Sequence, residues 1–175
     1  MSDAPCGHCR QFLNELADGE SLRLLAPQNQ TWTLKDLLPS SFGPRDLQQT
    51  DAIFASKAHV LRLPAGIRGP VVASALDAAV RSYAPYSNSP SGCAIQTKAG
   101  TIVSGSYLEN AAFNPSLAPL QSALVSLVMR QEESADITRV VLVESSGATI
   151  SHATETRMVL AVLAARATLD VVPAG

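Results

Sequence analysis

The sequence predicts an α/β fold, a layered sheet with helices on both faces. Three observations carry that expectation. From Pro70 onward, strand-like and helix-like segments alternate, which is the pattern of right-handed crossovers packed on a sheet. Val140-Val141-Leu142-Val143 is an unbroken apolar run, as expected of a strand buried on both faces. Two β-like segments flank Lys98-Ala99-Gly100, a hairpin signal.

Taken in order, residues 5 to 17 read as a short helix. Pro5 suits its entry, Phe12, Leu13 and Leu16 share a face, and Gly19 stops it. Ser21–Ala26 reads as a strand ended by Pro27, and Thr31–Leu34 as a weaker one. Thr33 is placed to cap a short helix through Leu37-Leu38, closed by Pro39. Residues 40 to 47 form a loop, and 48 to 68 show no period and read as a linker or extended arm. A helix then starts at Pro70 and ends near Ser82. The hairpin strands are Cys93–Thr97 and Thr101–Gly105. Residues 106 to 118 are a loop, Leu120–Arg130 and Thr154–Ala165 are helices, and Thr168–Val172 is the last strand.

Composition excludes several classes of function. The 175 residues are 46% hydrophobic and 16% charged, with a net charge of −2. That is a globular chain with no basic patch for nucleic acid or anionic membrane. No apolar run is long enough to span a bilayer. Met1-Ser2-Asp3-Ala4 lacks the features of a signal peptide. Cys6, Cys9 and Cys93 are too few for a secreted disulfide framework, so a cytoplasmic protein is expected.

Pro5-Cys6-Gly7-His8-Cys9 puts two thiols three residues apart in a first helical turn. The dipole and free N–H groups there favour the thiolate. Three chemistries use such a pair. A redox dithiol would sit in a thioredoxin-like fold after a strand, and here a proline precedes Cys6. A structural zinc site wants four ligands, usually as a second pair, whereas His8, His59, His152 and Cys93 are scattered. His8 reads as solvated, His59 and His152 as surface polar groups, and Cys93 as core. The third is a zinc deaminase, whose signature ends in P-C-x-x-C.

Further stretches strengthen the third reading. Cys6–Leu16, Leu38–Leu47, residues 81 to 92 and Ser104–Pro115 together resemble the large, homodimeric type of bacterial cytidine deaminase. The likeness covers most of the chain and thins between 48 and 68. It implies a three-layer α/β/α sandwich with a mixed sheet. It also implies residues 1–47 as the C-terminal remnant of a catalytic zinc domain, 48–65 as a linker, and 66–175 as a complete non-catalytic domain of the same type.

The function implied is zinc-dependent hydrolysis of cytidine or deoxycytidine to the uridine product and ammonia, a C–N hydrolase acting on a cyclic amidine. Cys6 and Cys9 match the zinc thiolates. Phe42, in Phe42-Gly43-Pro44, matches a loop that reaches the partner subunit's pocket and would stack on the pyrimidine. Asn110, Ala111 and Ala112 would approach the partner's nucleoside. The partners implied are a pyrimidine nucleoside, a second copy, and an N-terminal half holding the His-x-Glu motif. None of the three histidines here is followed at +2 by Glu. The chain is therefore expected to lack its catalytic proton shuttle and to be inactive alone. The alternatives left open are a noncatalytic dimerisation or structural module, and a CxxC redox protein. The sequence does not choose between cytidine and deoxycytidine.

Overall fold

The computed structural model describes residues 4–55 and 57–175. Met1–Asp3, at the head of the expected catalytic remnant, and Ser56, in the expected linker, lie outside the described residues. The chain divides into two compact units. One comprises the described residues up to 55 with Glu109–Ser116, the other Lys57–Leu108 with Leu117–Gly175.

The second unit holds the expected sandwich. Its helices are α3 (Pro70–Val80), α4 (Pro119–Met129) and α5 (Ala153–Leu163). Its strands are β3 (Ser91–Thr97), β4 (Ile102–Ser106), β5 (Ile137–Ser145) and β6 (Thr168–Ala174). The sheet order is β4-β3-β5-β6. β3 pairs antiparallel with β4 and with β5, and β5 pairs parallel with β6, so the sheet is mixed. Alternation along the strands builds two cores. On one face Cys93, Ile95, Val140 and Leu142 pack with Leu120, Ala123, Leu127 and Leu160 of α4 and α5. On the other, Ala94, Val141, Val143 and Val172 pack with Val71, Val72, Ala75 and Ala79 of α3.

β3 starts two residues earlier than the sequence suggests, because Ser91 and Gly92 read as loop residues. Gly92 is needed there for a tertiary reason. A Cβ on it would lie 2.2 Å from the backbone nitrogen of Ala79 in α3. β5 also runs beyond its apolar centre at both ends. The 57–68 arm carries no regular element, yet it is tied down within this unit. His59 N–H donates to the Val80 carbonyl at 2.8 Å, and Arg62 and Gly175 exchange two backbone bonds at 2.6 and 3.0 Å.

The first unit is built from α1 (Gly7–Leu13), β1 (Arg23–Leu25), β2 (Thr31–Thr33) and α2 (Leu34–Leu37). α1 is shorter than the expected 5–17 helix and continues as turns, with Leu16 N–H bonded to the Leu13 carbonyl. β1 and β2 form a two-stranded antiparallel ribbon. The expected Thr33 cap is present as a reciprocal box: the Asp36 N–H donates to the Thr33 hydroxyl, and the Thr33 N–H donates to the Asp36 carboxylate. Those two Thr33 groups, the hydroxyl first, hold the Asp36 carboxyl below its ordinary value. Leu34 and Ile53 supply the small apolar core, and Asn14 and Glu15 are buried with them. Among the described residues, no helix is long and apolar enough to cross a membrane.

Candidate functional site: a thiol pair, a pinned aromatic loop and an asparagine loop

The thiol pair lies where the spacing places it. Cys6 is the N-cap of α1 and Cys9 is one turn on. Both are exposed, and their sulfurs are 3.5 Å apart. Two thiolates bound to one tetrahedral zinc at about 2.3 Å would lie about 3.8 Å apart, so this pair is already close to a chelating edge. The backbone N–H of Cys9 and then its thiol hold the Cys6 thiol below its ordinary value. The bond to Cys6 pushes the Cys9 thiol up. Cys6 is thus the more acidic thiol of the pair, and a metal binding both sulfurs would displace their protons. Arg10 fastens the entry to the helix: its Nε donates to the Pro5 carbonyl at 2.6 Å and a terminal nitrogen to the Leu37 carbonyl at 2.8 Å.

Among the described residues, no group of three or more His, Cys, Asp or Glu side chains could hold a metal ion. His8 is exposed on the same turn. The thiols fit two corners of a zinc tetrahedron, and the described residues alone do not complete it.

His152 requires a correction. It was expected at the surface and is instead buried, with its ring 4.4 Å from that of Tyr107. Its backbone N–H donates to the Glu144 carboxylate at 2.6 Å. It is the N-cap of α5, with Glu155 three residues on. That is the helix position Cys6 and Cys9 occupy on α1, and no thiol stands there. Cys93 is buried as expected, and burial alone pushes its thiol far up. A thiol reagent is therefore expected to titrate two cysteines in the folded chain, Cys6 first, and the third only after unfolding. Three fast thiols in the folded chain would contradict this placement.

Phe42 is 47% exposed, on a loop whose backbone is firmly held. Its carbonyl accepts from Gln11 Nε2 at 2.7 Å and from Asn14 Nδ2 at 3.2 Å. Asn110, Ala111 and Ala112 belong to the same unit and serve its packing. Asn110 is buried, and its Nδ2 donates to the Gln11 carbonyl at 3.0 Å. Its Oδ1 accepts from the Ala112 N–H at 2.9 Å, and the Ala111 N–H donates to the buried Glu15 carboxylate at 2.6 Å. The unit also has a cleft of about 350 Å³ lined by Glu15, Asp18, Arg45, Asp46 and Asp51, which includes neither cysteine nor Phe42. The bonding roles of Gln11, Asn14 and Glu15 are absent from the sequence reading. The only available signal was their place along the last turn of α1 and just past its end, close after the thiols.

A profile of the family described as "Cytidine and deoxycytidylate deaminase zinc-binding region" matches residues 34–157. The chain belongs to this family. The matched span begins after the thiol pair. The chain is 44% identical over 148 residues to a cytidine deaminase of Shewanella sediminis, covering 85% of this chain and 49% of that protein. It is 51% identical over 146 residues to a cytidine deaminase of Cronobacter sakazakii, covering 83% and 49%. The chain thus spans about half the length of the curated relatives it matches. A solved cytidine deaminase from Burkholderia pseudomallei, 25% identical, superposes over 60% of this chain and 88% of its own with a TM-score of 0.50. Family membership and the α/β sandwich agree with the resemblance read from the motifs.

Proposed function

We propose that the chain is the C-terminal portion of a zinc-dependent cytidine or deoxycytidine deaminase. In this reading residues 1–47 are the remnant of the catalytic zinc domain, 48–65 a linker, and 66–175 a complete non-catalytic domain. The observation that carries the proposal is the exposed Cys6–Cys9 pair, preset near a zinc-chelating edge, in a chain of the deaminase zinc-binding family. Bound zinc in such sites activates water for attack on C4 of the pyrimidine ring. In that hydrolysis the C4–N bond breaks, a C4–O bond forms, and ammonia leaves.

This chain's residues do the following. Cys6 and Cys9 would supply two of the ligands to a zinc ion. Phe42 offers an exposed ring for the base in a neighbouring subunit's pocket, in a homodimer. Asn110, Ala111 and Ala112 set the loop that faces that nucleoside. The third ligand and the acid–base carboxylate come from a His-x-Glu motif outside these 175 residues, so the chain alone is inactive. The test is chemical. The chain is mixed with a polypeptide carrying the His-x-Glu half of a relative and supplied with cytidine, deoxycytidine and adenosine. Uridine-type product and ammonia in equal amounts, from the two pyrimidine nucleosides only, are expected. No product after stable association would favour a noncatalytic dimerisation module.

A further inference from the structure

The Phe42–Gly43 peptide group is pinned on both sides. Its carbonyl accepts the two side-chain amides of Gln11 and Asn14, at 2.7 and 3.2 Å. Its N–H donates to Asp46 Oδ2 at 2.8 Å. A peptide unit is planar, so three bonds on one unit fix its orientation and with it the backbone that carries the Phe42 ring. The amides are themselves held. Asn14 is buried, 6% exposed. Gln11 Nε2 lies 3.5 Å from Asn110 Oδ1, and the Gln11 carbonyl accepts from Asn110 Nδ2 at 3.0 Å. Space is committed as well: a Cβ at position 43 would lie 2.4 Å from Asn14 Nδ2. The glycine after Phe42 is therefore where the Asn14 amide enters. An aromatic ring 47% exposed on so tightly bonded a backbone is presented outward, not folded into its own unit.

The geometry assigns Gln11 and Asn14 as positioning residues for Phe42, holding the backbone from which its exposed ring is offered to a pyrimidine base. The assignment rests on Phe42 being a base-stacking residue. It adds that the platform is set from α1, the same helix that starts with the thiol pair. Rigid presentation matters because an aromatic that must first be ordered loses part of its stacking contribution to entropy.

The chain contains four phenylalanines, so fluorine NMR of the full chain labelled with 4-fluorophenylalanine reads each ring. Phe42→Leu identifies the Phe42 signal, and the other three report folding. Gln11→Glu and Asn14→Asp keep shape and remove the N–H donors. Each is expected to narrow the Phe42 line by about twofold or more as the loop gains fast motion, with the other three signals in place. An unchanged Phe42 line in both variants overturns the assignment, whichever variant is the better folded. Titration with uridine, after the labelled chain is combined with the polypeptide carrying the His-x-Glu half, separates the two ideas. A uridine-induced shift of the Phe42 signal that weakens in the variants supports both. A Phe42 signal that narrows in the variants but never responds to uridine keeps the pinned loop and overturns the base-stacking role, and with it the assignment of a function to the pinning.

Discussion

Cytidine incubated with this chain alone is expected to remain unconverted. Nothing among the described residues adds a third donor to the thiol pair, and no histidine here is followed at +2 by Glu. Loss of a general acid–base group by itself typically costs about 10²–10⁴ in rate, and an incomplete metal site removes the nucleophile too. A polypeptide supplying the His-x-Glu half is expected to restore turnover. Cys6→Ala or Cys9→Ala should then return the mixture to background, because each removes a metal ligand. Phe42→Ala should lower kcat/KM partially. Stacking on an aromatic contributes about 1–3 kcal/mol per base, which corresponds to roughly five- to 150-fold. A steady-state assay of ammonia release distinguishes these outcomes. Turnover by the chain alone, indifferent to Cys6→Ala, would remove the thiol pair from the chemistry.

Gly105→Ala is expected to destabilise the second unit by about 3 kcal/mol or more, beyond the usual range for overpacking. The reason is close approach. The added Cβ would stand 2.1 Å from the Ala123 nitrogen, 2.5 Å from the Ser122 carbonyl carbon and 2.7 Å from the Pro119 oxygen. All three are backbone atoms at α4, so no side chain can swing aside. The helix must lift from β4, and the core of Val103, Leu120, Ala123 and Leu127 opens with it. At this chain length each kcal/mol moves the melting temperature by about 2–4 °C, so a fall of roughly 10 °C is expected. Gly147→Ala is the control. Nothing lies within 4 Å of its added methyl, and a change within about 0.5 kcal/mol is expected. Equal melting curves for the two variants would mean that α4 does not press on β4 as described.

What could be read from the sequence was what is local. The Val140–Val143 run marked β5 because both faces of that strand are buried, and no partner is needed to see it. Thr33 marked the start of α2 because a capping box closes within three residues. The thiol pair was legible for the same reason, since i, i+3 spacing in a first turn fixes two side chains side by side. What escaped depended on distant segments. Ser91-Gly92 looked like loop until α3 was packed beside it. His152 looked exposed because its burial depends on Tyr107, 45 positions away in the numbering, and on the Glu144 carboxylate. Gln11 and Asn14 meet the Phe42 carbonyl across separations of 31 and 28 residues. No local pattern announces an amide that bonds to a backbone carbonyl so far along the chain.

Zinc-edge X-ray absorption tests the central claim, that Cys6 and Cys9 are metal thiolates. The chain alone is expected to lose its zinc to a mild chelator, because two thiolates leave the ion half-ligated. Combined with the His-x-Glu polypeptide, it is expected to retain one zinc with two sulfur neighbours at about 2.3 Å and a nitrogen neighbour at about 2.0–2.1 Å. Cys6→Ser should remove one sulfur from that shell. Zinc held without sulfur, or a sulfur shell unchanged in Cys6→Ser, would contradict the assignment.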